Sequence, residues 1–141
     1  MKYTIYTDGA YRRSVDRGGW GWYCQSEVEY HGYGGENKTT NNRMEIQAVL
    51  EALKATQPKD TVTIVSDSQY VVNTLNLWLR SWHKSKRLYG NKLKNTDQWI
   101  IILKLIEERY VTARWVKGHN GDYGNEMADQ LANKGIDCGH S

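Results

Sequence analysis

Five residues have types and surroundings suited to chemistry: Asp8, Glu45, Asp67, Asp129 and His119. Asp8 follows the alternating run Lys2–Thr7, and Asp67 follows the β-branched run Thr61–Val65 and Ser66. Both runs predict strands, each ending at its acid. If those strands are parallel neighbours, the two carboxylates stand side by side at the carboxyl edge of a sheet, where open α/β sheets bind ligands. Each acid also has a plainer explanation: Asp before Gly marks a turn, and Asp ahead of a helix is a cap. Glu45 lies three, four and seven residues before Ala48, Val49 and Ala52, so it borders the face of its helix that should pack inward. Its plain alternative is an acid favoured by a helix N-terminus, worth only about 0.3–1 kcal/mol. Asp129 falls one helical turn after Asn125 and points the same way, unless it is simply a solvent-facing helix charge.

Carboxylates gathered at one edge raise each other's pKa, and a divalent cation reverses that cost. Hard oxygen ligands without a cysteine or histidine pair favour Mg²⁺ or Mn²⁺ over zinc. Two such ions stabilise both the attacking and the leaving oxygen of a phosphodiester. His119 lies in the glycine-flanked segment Lys117-Gly118-His119-Asn120-Gly121. Imidazole accepts and returns a proton near neutral pH, although a lone loop histidine is most often inert.

The elements needed to hold these groups are legible in outline. After the first strand, Gly18–Gln25 and Glu27–Tyr33 predict two more strands joined by a tight turn. A helix from about Asn42 to Ala55 carries the stripe Ile46, Val49, Leu50 and Leu53, with the only proline, Pro58, just beyond it. Ser66-Asp67-Ser68 is a capping cluster for a helix bearing Tyr70, Val71, Val72 and Leu75. A helix over Asp97–Arg109, a strand over Val111–Val116 and a last helix over about Asn125–Lys134 complete the chain. Three strands followed by alternating helix and strand indicate an α/β layer with a mixed sheet. No linker or repeat breaks the 141 residues, so they form one domain.

Charge is distributed unevenly. Arg80, Lys84, Lys86, Arg87, Lys92 and Lys94 lie between Leu79 and Lys94 with no acid among them. These six cations exceed the formal net charge of +3, so the rest of the chain is slightly acidic. A basic segment on such a body suggests a local polyanion contact, with a solvated surface as the plain alternative. With no Phe, the six Trp and ten Tyr supply the aromatic bulk, many of them half-exposed so that their polar atoms reach partners. Cys24 and Cys138 form no CxxC pair and read as free thiols of a reducing compartment, which points to the cytoplasm. No run approaches the ~18 apolar residues of a membrane span.

In order along the chain, five pieces resemble the type 1 ribonuclease H (RNase HI) family. They are Tyr6-Thr7-Asp8-Gly9, Thr39-Thr40-Asn41-Asn42-Arg43-Met44-Glu45, Ser66-Asp67-Ser68-Gln69-Tyr70-Val71, Trp115-Val116-Lys117-Gly118-His119 and Gly124-Asn125-Glu126-Met127-Ala128-Asp129. The resemblance implies a ribonuclease H-like fold, a five-stranded mixed sheet flanked by helices, spanning residues 1–141 with a basic protrusion at about 78–95. It implies cleavage of the RNA strand of RNA–DNA hybrids to 5′-phosphate and 3′-hydroxyl ends. Asp8, Glu45, Asp67 and Asp129 would hold two Mg²⁺ ions with substrate, Mn²⁺ being the alternate, and His119 would shuttle a proton. Asn42 and Gln69 would contact the minor groove and Thr40 a DNA-strand phosphate, with Asn41 and Asn125 beside them. Trp78, Trp82, Lys84, Lys86 and Arg87 would form the substrate-binding protrusion.

The chain departs from the family where Ser14 stands in place of an Asn. Arg12, Arg13 or Arg17 is then expected to bind phosphate instead. The expected protein is a monomer with no obligatory protein partner and no membrane association, and the Met before the first strand suits a free-standing enzyme rather than a piece of a reverse transcriptase. The rival readings are a resolvase- or transposase-like nuclease acting on DNA, and a non-catalytic hybrid-binding module.

Overall fold

The computed structural model describes residues 1–25 and 30–138. Strand β1 (Lys2–Arg12) leads through a 3₁₀ turn (Arg13–Val15) into β2 (Arg17–Cys24) and β3 (Tyr30–Asn37). Helix α1 (Asn41–Lys54) and strand β4 (Thr61–Ser66) follow. Next come α2 (Gln69–Asn73), a π-helical stretch (Thr74–Trp78), α3 (Leu79–Lys84) and a second 3₁₀ turn (Arg87–Tyr89). Helix α4 (Thr96–Glu107), strand β5 (Tyr110–Trp115) and helix α5 (Tyr123–Asp137) complete the order.

The five strands form one sheet in the order β3-β2-β1-β4-β5. β1 pairs antiparallel with β2, and β2 with β3, whereas β1–β4 and β4–β5 are parallel. The expected mixed five-stranded sheet is therefore present. β1 differs from expectation, because it does not stop at Asp8. Pairing with β2 continues to Arg12↔Arg17, so Asp8 lies inside the strand. The partnership with β4 nevertheless ends at Tyr6↔Val65, and Asp8 and Asp67 each lie two residues past that pair. The acids stay neighbours for that reason. β3 also differs: it continues to Asn37, and Glu27, Val28 and Glu29 of the predicted strand lie outside the described residues.

Side chains cap three of the five helices, α1, α2 and α5. Thr40 Oγ1 accepts from Arg43 N–H (3.1 Å), Ser68 Oγ from Val71 N–H (3.2 Å) and Asp122 Oδ1 from Asn125 N–H (3.0 Å). Each such cap is worth about 1 kcal/mol. On one face, α1, α2, α3 and α4 bury a core that includes Ile5, Ile46, Leu53, Ile64, Val71, Leu79, Trp99 and Ile102. Trp99 is fully buried, and its Nε1 donates to the Tyr70 hydroxyl at 3.0 Å. On the other face, α5 packs on β1 and β2 through buried residues that include Ala128, Leu131, Ala132 and Ile136. Among the described residues, no helix is long and apolar enough to cross a membrane.

Candidate active site

Gly9 makes the site. A Cβ there would stand 2.2 Å from Glu45 N and 2.4 Å from Met44 C, so only glycine lets the first turn of α1 lie directly on β1. The Gly9 N–H then donates to Glu45 Oε1 (2.9 Å) and to Asp8 Oδ1 (3.0 Å), which brings the two carboxyl groups together. Asp67 joins them from the end of β4. Oxygens of Asp8, Glu45 and Asp67 all lie within 4.8 Å of one another. Asp129, half-buried on α5, is near enough for its charge to act on all three.

Burial raises the Asp8 carboxyl far above the ordinary range, and the charge of Glu45 and hydrogen bonding with it push it further. Glu45 is raised by burial too, against the hydrogen bonds from Asp8 and Gly9 that hold it down. Desolvation raises Asp67, opposed by the charge of His119 and a hydrogen bond from Asn125. No ion pair among the described residues reaches these acids. Glu45 Oε2 is buried without a hydrogen-bond partner. Buried carboxylates with an orphaned oxygen and no direct ion pair fit a hard divalent ion, and the all-oxygen donor set fits Mg²⁺ or Mn²⁺ better than zinc.

His119 is exposed, in the left-handed conformation (φ 54°), on the loop between β5 and α5. Gly118 before it packs on Asp67, since a Cβ there would meet Asp67 Oδ2 at 2.8 Å. The loop is thereby seated on the acidic edge with its imidazole outward. Trp115 supports the same edge by donating Nε1 to the Asp67 carbonyl (3.0 Å).

The expected substrate residues divide. Thr40, Asn41 and Asn42 line a hollow of about 320 Å³ at the start of α1, together with Lys94 and Asn95. Gln69 is exposed at the first position of α2. Trp78 is 40% exposed and lies beside the half-buried Trp82, their ring centroids 6.1 Å apart. Lys84, Lys86 and Arg87 are exposed beyond them. Asn125, expected beside the substrate, is only 2% exposed: its amide lies against Asp67 and holds that carboxyl down, and its Oδ1 is buried without a hydrogen-bond partner.

Arg17 is a second correction. Its guanidinium is buried and donates to the carbonyls of Ile136 (2.8 Å), Gly135 (3.3 Å) and Cys138 (2.8 Å) and to Asn37 Oδ1 (3.0 Å). It closes the C-terminal end of α5, where a cation suits the helix dipole, and has four of its five N–H donors engaged by these contacts. Arg12 pairs with Asp137 (2.7 Å) at the surface, and Arg13 is exposed. Asp8-Gly9 carries only a turn signal in the sequence, which hides the contact that Gly9 makes with α1, and Asn95 in the hollow has no signal there beyond proximity to the basic run.

Residues 1–137 match the family model for RNase H. The ribonuclease H of Pseudomonas entomophila (strain L48) is 44% identical over 136 residues, spanning 94% of this chain and 92% of that protein. The ribonuclease H of Polynucleobacter asymbioticus is 46% identical over 136 residues, spanning 94% and 88%. Among solved structures, LC9-RNase H1, a type 1 RNase H with the type 2 active-site motif, superposes with a TM-score of 0.83 at 27% identity, over 96% of this chain and 72% of that one. A foamy viral protease–reverse transcriptase in complex with RNA/DNA hybrid gives 0.80 at 25% identity, over 95% of this chain and 20% of that one. A mixed five-stranded sheet with acids collected at its edge thus belongs to a nuclease class. The chain belongs to the ribonuclease H family, as its motifs suggested, and is a ribonuclease H enzyme.

Proposed function

We propose that this enzyme hydrolyses the RNA strand of RNA–DNA hybrids at the acidic edge, with divalent cations held by Asp8, Glu45, Asp67 and Asp129, leaving 5′-phosphate and 3′-hydroxyl ends. One observation carries the reading. Three carboxylates with oxygens within 4.8 Å of one another are kept at a sheet edge with no ion pair to them among the described residues. Mg²⁺, or Mn²⁺ in its place, supplies Lewis-acid stabilisation of the attacking and leaving oxygens when two ions are bound with substrate.

The remaining tasks fall to the chain. Gly9 N–H and the Asn125 side chain orient Glu45, Asp8 and Asp67 before substrate arrives. His119 reaches out from its loop to move a proton to or from the reacting oxygens, work that contributes about 10²–10⁴-fold in general acid–base catalysis. Thr40, Asn41 and Asn42, with Lys94, offer hydroxyl, amide and ammonium donors to a phosphate of the DNA strand. Gln69 and Asn42 face the minor groove, where the 2′-hydroxyl separates RNA from DNA. Trp78, Trp82, Lys84, Lys86 and Arg87 bind the hybrid backbone further out, and Arg12 and Arg13 are candidates for a further phosphate.

The reading includes a monomer acting in the cytoplasm without an obligatory protein partner; the free Cys24 and Cys138 support the reducing compartment. End-labelled RNA–DNA hybrid, single-stranded RNA, duplex DNA and branched DNA, each with and without Mg²⁺, test it. Cleavage confined to the RNA of the hybrid and dependent on the cation is expected. Preferential cutting of branched or duplex DNA would replace the reading with that of a DNA nuclease.

A further inference from the structure

β5 is an edge strand, paired with β4 on one side only. Tyr110 N–H donates to the Asp60 carbonyl and Val116 N–H to the Ser66 carbonyl, both at 3.0 Å, so the backbone groups of even-numbered residues face β4. Those of Ala113 face the rim. There the Asn76 side chain meets both: Nδ2 donates to the Ala113 carbonyl (2.8 Å), and Oδ1 accepts from the Ala113 N–H (2.9 Å). An amide that donates and accepts against a single residue takes the place of a neighbouring strand.

Asn76 is the middle residue of the π-helical stretch Thr74–Trp78. Such turns occur frequently at functional sites. Leu75 and Leu79 stay buried on the core while Asn76 lies over β5 and Trp78 opens to solvent at the root of the cationic arm. β5 is itself bound to the acidic edge, because Trp115, two residues beyond Ala113, donates to the Asp67 carbonyl. Arm, rim and acidic edge are thereby joined through two side chains, Asn76 and Trp115.

We infer that Asn76 is a positioning residue for hybrid cleavage, whose two-point clamp on β5 fixes where the Trp78–Lys94 arm stands relative to the acidic edge. The inference rests on the arm's proposed role in binding hybrid. Steady-state cleavage of a hybrid is to be measured for Asn76→Ala, for the combined Lys84→Ala, Lys86→Ala and Arg87→Ala variant, and for the two together. Asn76→Ala should raise KM roughly tenfold, the scale of one or two lost hydrogen bonds, with kcat within about twofold. In the arm-neutralised background, the same change should raise KM less than about twofold, because a misplaced arm without its cations has nothing left to misplace.

Asn76→Asp keeps only the bond from Ala113 N–H and should fall between Asn76→Ala and wild type. It carries the same comparison if the alanine variant fails to fold. An unchanged KM for both Asn76 variants, or an equal factor in both backgrounds, would assign Asn76 to stability alone and overturn the inference. A triple arm variant with wild-type KM would instead sink the arm's role, and the clamp's function with it.

Discussion

The acidic edge and the cationic arm solve opposite physical problems. At the edge, like charges are buried at close quarters and held by backbone: Gly9 N–H grips two carboxylates, and Asn125 and Gly118 confine a third. Along the arm, like charges are spread over an exposed surface, with Lys84, Lys86 and Arg87 in solvent and Leu79, Leu88 and Asn76 as anchors beneath. Repulsion at the edge is a reservoir that a bound divalent cation would relieve. On the arm it is weak, screened by salt, and discharged only against a polyanion. Loss of a group at the edge should therefore strike turnover, and loss on the arm should strike affinity.

The largest effect that separates the two regions is expected from Asp67→Asn. Removing one ligand charge should lower kcat with Mg²⁺ by about 10³-fold or more, the worth of several kcal/mol of electrostatic stabilisation. Hybrid binding, measured by fluorescence anisotropy, should change little. Wild-type turnover in this variant would remove Asp67 from the site. His119→Ala should come next, slowing single-turnover cleavage by about 10²-fold without abolishing it. Complete loss would give the histidine a structural role instead.

Neutralising Lys84, Lys86 and Arg87 together should leave kcat within about twofold. It should lower the slope of log affinity against log salt by about two to three, as expected for three lost phosphate contacts. A fall in kcat with an unchanged slope would erase the contrast between edge and arm. Smallest of all, Arg13→Ala should reduce that slope by about one. An unaltered slope would dismiss Arg13 as the replacement for the missing Asn at Ser14.

Much of this arrangement is legible in the residue order, and the parts that are not share a cause. The run Thr61–Val65 predicts β4 because β-branched side chains suit a buried strand, and Ser68 caps α2 as its type suggests. Asp8, Glu45 and Asp67, whose oxygens come within 4.8 Å of one another, stand at strand ends or beside an inward helix face in the sequence. Each alone also reads as a turn, a cap or a helix-end charge, and Asp129 is drawn in only by its place in the family's motif. Misreadings arise where a residue's role is set by what packs on it. Asp8-Gly9 has the local chemistry of a turn, yet β1 runs through it, since the glycine serves α1 and not a bend. Gly34 and Gly35 likewise fall beyond the strand predicted over Glu27–Tyr33, whereas β3 runs through them, with the Trp20 indole where a Cβ at Gly34 would stand. Arg17 looks like a free surface cation and is spent on the end of α5, which no local pattern announces.

The central claim is that the buried acids form a cation site, and thermal melts from pH 5 to 8 test it most directly. With Asp8, Glu45 and Asp67 all raised, the native state in EDTA holds protons that the unfolded chain has released. Stability is then full below the unfolded carboxylate range, and it declines as pH rises toward the raised values, by up to about 1.4 kcal/mol per pH unit for each proton held. Mg²⁺ should displace those protons, so its stabilising shift in Tm should grow with pH and largely vanish in Asp8→Asn. A Mg²⁺ shift independent of pH, or equal in Asp8→Asn and the unaltered protein, would contradict the account.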